Sequence, residues 1–312
     1  MMTGLVIRCT GSAYSVLRDD GEVLTCHVKG NFRIRGIRST NPVAVGDRVE
    51  LDTLPDGTTW ITEVKERRNY IIRRSTNLSH ESHILAANID QALLVVTLNH
   101  PVTSTTFIDR FLATAEAYRI PAVLLFNKED LLTEEEKEEV AALRKLYESL
   151  GYQTLALSVL KDDVDEVREL LRGKVTLMSG NSGVGKSTLL NSIFGEEMTR
   201  TGRISDAHDK GMHTTTFSAM YALPKTGDEP TGWIIDTPGI KGFGGVAMDK
   251  REVSHYFREI FRIGRECRYD DCLHTDGKHC AVIAAVEKGE IALSRYESYL
   301  SMLGDEQERK YR

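Results

Sequence analysis

A glycine-rich motif carries the strongest chemical signal in the sequence. Residues 180–187 have the sequence G-N-S-G-V-G-K-S, which matches the phosphate-binding pattern G-x-x-x-x-G-K-[ST]. Glycines let backbone N–H groups close around phosphate oxygens, and the start of the following helix adds the positive end of its dipole. The lysine can reach the β and γ oxygens of a nucleotide, and the serine hydroxyl can ligate Mg²⁺. The motif therefore predicts a polyphosphate site formed by Gly180, Asn181, Ser182, Gly183, Val184, Gly185, Lys186, Ser187 and Thr188.

A second motif indicates which base the nucleotide carries. Residues 127–130 have the sequence N-K-E-D and directly follow the apolar run 122–126. An aspartate carboxylate accepts hydrogen bonds from the N1 and N2 hydrogens of guanine, whereas adenine would leave that carboxylate desolvated and unpaired. We therefore expect a guanine-binding loop, with Ser158 after the next predicted strand supporting the base. The loop residues are Asn127, Lys128, Glu129 and Asp130.

Two further segments predict loops that sense the γ-phosphate. Residues 236–239 have the sequence D-T-P-G, so that Asp236 can hold Mg²⁺ through water and the Gly239 N–H can contact the γ-phosphate. Residues 211–216, G-M-H-T-T-T, offer three threonine hydroxyls for the metal, and Thr215 is our candidate among them.

One position predicts slow intrinsic hydrolysis. Ile240 stands where Ras-like enzymes carry the glutamine that orients the attacking water. Catalysis then rests on Lys186 at the phosphates and on a replacement group from another loop, for which His213 is our candidate, or from a partner.

Three cysteines and a histidine have the spacing of a metal site. Residues 267–280 contain C-x4-C-x-H-x5-C, which supplies three thiolates and an imidazole. That set fills a closed tetrahedral Zn²⁺ site and leaves no position for a catalytic water. We expect one structural zinc ion to stabilise a small helical segment that has little core of its own. The ligands are Cys267, Cys272, His274 and Cys280, whereas Cys9 and Cys26 are expected to be buried small hydrophobes.

Three segments must position these residues. Residues 1–72 contain short apolar runs separated by turn signals, as expected of an all-β OB-fold barrel. Residues 73–245 alternate buried strands with amphipathic helices, which predicts a central α/β domain around the phosphate-binding loop. Residues 246–312 lack a strand pattern and are expected to form a helical zinc-binding domain.

Charge is distributed unevenly along the chain. The sequence contains 40 Lys and Arg against 46 Asp and Glu, a net charge of −6, yet residues 1–75 hold 12 basic and 9 acidic residues and are near +3. No acidic residue lies within 23–46. Alternation along a strand there would point basic side chains towards RNA phosphates, although a solvated strand face remains the alternative. The candidate RNA contacts are Lys29, Arg33, Arg35 and Arg38.

The order of the motifs is unusual. In an ordinary GTPase the phosphate-binding loop precedes N-K-x-D, but here residue 127 precedes residue 180, which indicates a circularly permuted domain. Together with H-T-T-T, D-T-P-G and the cysteine cluster, this order resembles the small ribosomal subunit biogenesis GTPases, the RsgA (YjeQ) family. The resemblance covers nearly the whole chain. It implies a GTPase that is stimulated by the small (30S) subunit, binds its rRNA and acts late in its maturation, using GTP with Mg²⁺ and one Zn²⁺.

Composition excludes some classes of protein. Hydrophobic residues make up 41% and charged residues 28% of the chain, which is typical of folded globular proteins. No apolar run approaches the roughly 18 residues needed to span a bilayer, and the first residues lack a signal-peptide pattern. We therefore expect a cytoplasmic protein without a membrane partner. We also expect it to be monomeric. The alternatives are a GTP-switched RNA-binding module acting on tRNA or mRNA, and a small-molecule kinase, which the switch motifs disfavour.

Overall fold

The chain divides into two compact units. The computed structural model describes residues 2–10, 13–28, 42–74, 82–195, 219–226, 229–236, 248–277 and 279–310. The first unit comprises Met1–Leu93, Val159–Ser179 and Gly185–Ile240. The second comprises Leu94–Ser158, Gly180–Val184 and Lys241–Arg312. Each unit therefore combines segments that are far apart in sequence.

The described residues contain fifteen strands and eight α-helices. The strands are β1 (Met2–Cys9), β2 (Tyr14–Arg18), β3 (Val23–Val28), β4 (Arg48–Thr53), β5 (Thr59–Val64), β6 (Tyr70–Arg74), β7 (Ser82–Ala87), β8 (Gln91–Val96), β9 (Ala122–Asn127), β10 (Gln153–Leu157), β11 (Val175–Ser179), β12 (Ala219–Ala222), β13 (Lys225–Thr226), β14 (Glu229–Pro230) and β15 (Trp233–Asp236). The helices are α1 (Thr105–Ala117), α2 (Glu134–Ser149), α3 (Asp165–Leu171), α4 (Lys186–Phe194), α5 (Lys250–Val253), α6 (Arg258–Gly264), α7 (Ala281–Glu287) and α8 (Leu293–Lys310).

The N-terminal strands of the first unit close into a five-stranded barrel. The strand order is β1-β2-β3-β5-β4, and pairing of β1 with β4 completes the ring. Inward-facing side chains such as Val6, Val16 and Ile61 are buried, as the alternation along each strand predicts. The barrel fold expected from the sequence is thus confirmed. The part of the N-terminal segment that carries the candidate RNA contacts, residues 29–38, lies outside the described residues.

The barrel continues into the strands that precede the predicted switch motif. β1 pairs with β12 at Arg8 and Ala219, β12 pairs antiparallel with β15, and β15 pairs parallel with β11. The register of the β1–β2 pairing shifts between Val6 and Arg8, next to the point where β1 pairs with β12. The sheet therefore connects the barrel to β15, which ends at Asp236.

Gly46 fixes the approach of the barrel to the β6–β7 hairpin. Its φ is +90°, and a Cβ at this position would lie 2.1 Å from the Ala87 carbonyl oxygen. The Asn88 side chain donates to the Gly46 carbonyl at 2.9 Å, and Asn69 exchanges two hydrogen bonds of 2.8 Å with the backbone of Ile89. Only glycine combines this backbone conformation with so close an approach.

The second unit is built on buried parallel strands and on helices that their caps define. β9 is buried along its whole length and pairs in parallel with β10. α1 begins after Ser104, whose hydroxyl accepts from the Phe107 N–H. α2 begins with a capping box between Thr133 and Glu136, as the sequence predicts. Among the described residues, no helix is both long and apolar enough to cross a membrane.

The C-terminal helices share a core with α1 and enclose a charged cluster. Phe257, Val282 and Tyr299 are fully buried in that core. Within it, Arg295 binds Glu259 through two hydrogen bonds of 2.7 and 3.1 Å and binds Asp109 at 2.8 Å. All three charged side chains are at most 3% exposed. Buried charges of this kind persist only when they are paired, so the cluster fixes α6 and α8 on α1.

Candidate nucleotide and metal sites

The phosphate-binding loop has the backbone conformation that its glycines predict. Gly180, Gly183 and Gly185 have φ values of 146°, 84° and 101°. A Cβ on Gly180 would lie 2.4 Å from the Val95 carbonyl oxygen, so this position requires glycine for space as well as for conformation. α4 begins at Lys186 directly after the loop. The first N–H groups of a helix have no carbonyl partner within it, and here they follow the glycines as an anion site requires.

The guanine-recognition motif is bound to the first half of this loop. The buried Asn127 side chain donates from Nδ2 to the Val184 carbonyl at 2.8 Å. Lys128 donates from Nζ to the carbonyl oxygens of Gly183 and His100, both at 2.6 Å. Lys128 itself has φ +68°, a left-handed conformation that is uncommon for a lysine. The structure thus joins two motifs that are separated by 49 residues in the sequence.

Ser158 supports the same motif from the end of β10. Its hydroxyl accepts a hydrogen bond of 2.9 Å from the Asp130 N–H, and the residue is buried. Glu129 and Asp130 lie in a single 3₁₀ turn, Glu129–Leu131, and are half-buried. This contact fixes the backbone of Asp130, the residue that the sequence predicts to read the guanine edge.

The remaining predicted phosphate and metal contacts are described only in part. Asp236 is the last residue of β15, and its backbone is opposite Ala219 of β12. Ser187 is exposed in the first turn of α4, and Thr188 follows it half-buried. The other candidates lie outside the described residues: Lys29, Arg33, Arg35, Arg38, His213, Thr215, Gly239 and Ile240.

The four predicted zinc ligands form one cluster. Cys267, Cys272, His274 and Cys280 each offer one ligand atom, and these atoms all lie within 4.8 Å of one another. His274 Nδ1 lies 3.5 Å from the sulfurs of Cys267 and Cys280, and Cys280 Sγ lies 3.9 Å from both other sulfurs. Bond lengths of about 2.3 Å for Zn–S and 2.0–2.1 Å for Zn–N give tetrahedral edges of roughly 3.8 and 3.5 Å. The ligand set therefore fits a tetrahedral zinc ion.

Burial shifts the pKa values of groups in the metal cluster and of the two cysteines outside it. Burial lowers the pKa of His274, which favours the neutral imidazole that a metal needs, and raises the pKa of the Cys280 thiol to about 11. A bound divalent cation would favour the thiolate instead. Burial also raises the pKa of Cys9 to about 12 and that of Cys26 to about 11. These two thiols are thus buried, as the sequence predicts, and their raised pKa disfavours the reactive thiolate.

Several contacts that support both sites do not follow from the sequence motifs. Lys128 donates to the carbonyl oxygen of His100, and Tyr296 and Tyr299 donate to the carbonyl oxygens of His274 and Leu273, respectively. Lys128 belongs to the N-K-x-D motif, but its contact with His100 does not follow from that motif, and neither tyrosine belongs to a recognised motif. The tyrosines could have been suspected only from their spacing of three residues on a predicted helix, which places them on one face.

Family models match almost the whole N-terminal and central part of the chain. A model described as the RsgA GTPase matches residues 64–245, and one described as the RsgA N-terminal domain matches residues 3–61. The chain belongs to the RsgA GTPase family. It is therefore a GTPase whose domain is circularly permuted, as the order of its motifs indicates.

Individual relatives agree with the assignment to the RsgA family. The small ribosomal subunit biogenesis GTPase RsgA of Phocaeicola vulgatus is 56% identical over 312 residues, covering 100% of this chain and 99% of the relative. The protein of that name from Porphyromonas gingivalis is 53% identical over 314 residues, covering 100% of this chain and 99% of the relative.

Solved structures of similar proteins share the RsgA-family fold. YjeQ from Thermotoga maritima matches with a TM-score of 0.75 and 34% identity, covering 97% of this chain and 98% of that one. YloQ, described as a circularly permuted GTPase, matches with a TM-score of 0.74 and 29% identity, covering 100% and 97%. The permuted GTPase fold predicted from the sequence is thus confirmed.

Proposed function

We propose that this GTPase is a late assembly factor of the small (30S) ribosomal subunit, that it binds rRNA, and that the subunit stimulates its GTP hydrolysis. One observation carries the nucleotide part of the proposal. Asn127 and Lys128 donate to the carbonyls of Val184 and Gly183, which supports a single site made by the base-recognition motif and the phosphate-binding loop. The names of the relatives support the ribosomal part.

The nucleotide is held by residues with separate roles. Asp130 reads the guanine edge, Ser158 fixes the Asp130 backbone, and Lys186 neutralises the phosphates. Ser187, Thr215 and Asp236 would hold Mg²⁺, which neutralises the charge that develops on the phosphates. This set of residues binds GTP well. Because Ile240 replaces the glutamine that would orient the attacking water, hydrolysis is slow unless His213 or a group from the subunit supplies the missing catalytic role.

The rRNA contact is assigned to the basic barrel. Residues 23–46 contain no Asp or Glu and include Lys29, Arg33, Arg35 and Arg38. Basic residues of this kind bind phosphates with the release of counterions. Affinity for the subunit should therefore fall with rising salt. Replacing Arg33 and Arg35 by alanine should reduce the magnitude of the log–log slope by roughly 0.7 to 0.9 for each lost phosphate contact. An unchanged slope would remove the barrel contact from the proposal.

The same proposal covers the metal, the location and the organisation of the chain. Cys267, Cys272, His274 and Cys280 bind one structural Zn²⁺, and their spacing supports this. The chain acts as a monomer in the cytoplasm, where the proposed ribosomal partner is found. Its functional division is a barrel over 1–72, a GTPase domain over 73–245 and a zinc-binding domain over 246–312.

The decisive experiment measures GTP turnover with and without purified small subunits. We expect the subunits to accelerate turnover by more than about tenfold. Lys186→Ala is the matched control and should remove the stimulated rate. Free tRNA and mRNA form the second arm: stimulation by either RNA, without stimulation by the subunit, would favour the alternative of an RNA-binding module and refute the proposal.

A further inference from the structure

Two tyrosines of α8 bind the backbone of the metal-ligand segment. Tyr299 donates from its hydroxyl to the Leu273 carbonyl at 2.7 Å, and Tyr296 donates to the His274 carbonyl at 2.6 Å. The two rings are stacked, with centroids 6.3 Å apart and an interplanar angle of 28°. Two consecutive carbonyls are thus held by donors one helical turn apart.

The backbone that they hold is in an unusual conformation. His274 has φ +55°, in the left-handed region that a histidine seldom adopts. This conformation places its Nδ1 at 3.5 Å from the sulfurs of both Cys267 and Cys280. A more ordinary φ would rotate the peptide plane and turn the imidazole away from the sulfurs. The two hydrogen bonds therefore act on the dihedral angle that determines whether His274 can be a ligand.

The donors are themselves fixed by packing. Tyr299 is fully buried, and its ring meets Phe257 edge-on at 5.6 Å. The guanidinium of Arg295 lies over the Phe257 ring, 4.6 Å from its centroid. Arg295 is held in turn by Glu259, as described above. The hydroxyl of Tyr299 consequently cannot follow the metal-ligand segment if that segment moves.

We propose that Tyr296 and Tyr299 are positioning residues of the metal centre, which hold Leu273 and His274 in the ligating conformation and thereby slow the release of zinc. The inference rests on the proposed zinc site. If the tyrosines had a purely structural role, loss of their hydroxyl groups would affect folding and would leave zinc release unchanged. A positioning role predicts a change in zinc release. Groups that orient a ligand from outside the coordination sphere typically change metal affinity 10- to 100-fold.

The test follows the transfer of zinc from the full-length, zinc-loaded protein to the chromogenic chelator 4-(2-pyridylazo)resorcinol. Tyr296→Phe and Tyr299→Phe retain the rings and remove only the hydroxyl groups. We expect each variant to release zinc about 10- to 100-fold faster than the wild type. Tyr256→Phe is the matched control, because the Tyr256 hydroxyl donates to Glu252 at 3.3 Å and has no hydrogen bond with the described residues of the metal-ligand segment. It should release zinc at the wild-type rate.

A second readout separates positioning from a loss of folding. The visible absorption of the cobalt-substituted protein reports the geometry of the ligands, and we expect it to change in both tyrosine variants and not in Tyr256→Phe. If Tyr299→Phe fails to fold, Tyr296→Phe decides alone, since Tyr296 is only half-buried. Release rates and cobalt spectra equal to those of the wild type would overturn the inference. A wild-type protein with no bound zinc would instead refute the proposed zinc site.

Discussion

Replacement of Arg295 should destabilise the C-terminal helices strongly, and the cost should depend on pH. Arg295 is the cation between Asp109 and Glu259, and all three side chains are buried. Arg295→Met would leave two buried carboxylates facing each other. Breaking a buried ion pair by removing one partner costs about 3–5 kcal/mol, whereas an exposed pair is worth about 0–1 kcal/mol.

The assay is hydrogen exchange of the slowest amides of α8 at neutral pH. Since about 1.4 kcal/mol corresponds to a factor of ten, the cost given above should reduce protection by about 100- to 4,000-fold. Lys137→Met is the control, because it removes an exposed pair with Glu134 and should change protection by less than about tenfold.

The direction of the pH dependence follows from Asp109. Burial raises the pKa of Asp109, although Arg295 opposes this increase. The folded state therefore holds the Asp109 proton more tightly than the unfolded chain does. Its contribution to stability is complete below the unfolded pKa and is lost as pH rises through the folded pKa. Without Arg295 the folded pKa rises further, so Arg295→Met should be less destabilising near pH 5 than near pH 8.

A charge-free variant distinguishes the electrostatic cost from the loss of packing. Arg295→Met combined with Asp109→Leu and Glu259→Met removes all three charges together, and such replacements are often neutral or stabilising by about 1–4 kcal/mol. We expect protection to recover most of its wild-type value. A triple variant as unprotected as the single one, or a single variant within about tenfold of the wild type, would refute this account of the cluster.

Three further changes have defined outcomes. Asp130→Asn should shift nucleotide preference from guanine towards xanthine, which a competition assay measures; equal wild-type affinity for GTP and ATP would contradict the proposed recognition. Gly264→Ala places a Cβ 3.0 Å from His274 Nε2 and should weaken zinc retention against a chelator, whereas Gly304→Ala, with nothing within 4 Å, should not; equal retention would exclude the clash. Gly46→Ala should cost more in urea unfolding than Gly57→Ala, because both have positive φ but only the first clashes, and equal midpoints would argue against that clash.

The sequence predicts local features of this protein well. The barrel strands, the capping box of α2 and the zinc ligands depend on residues close together in the chain, and the structure contains each of them. The circular permutation was also predictable, because it follows from the order of two motifs and requires no knowledge of distances.

Long-range contacts between ordinary residues were not predictable. Asp109 and Arg295 are 186 residues apart, and neither position belongs to a motif. A charged residue on an amphipathic helix is usually solvated, so the pattern alone gives no reason to bury it. The left-handed conformation of His274 was not predictable either. It is accompanied by a hydrogen bond from α8, which no sequence pattern indicates.

The pairing of β1 with β12 also has a consequence for the time course of synthesis. Arg8 and Ala219 are partners in the sheet, yet 210 residues separate them in the chain. At about 5–20 residues per second, the ribosome makes β12 about 10–40 s after β1. A barrel closed by β1 and β4 can form within the first 64 residues and so precede its partner. The end of β1 would then already be folded in the nascent barrel when β12 and β15 are synthesised, and β12 would pair with it.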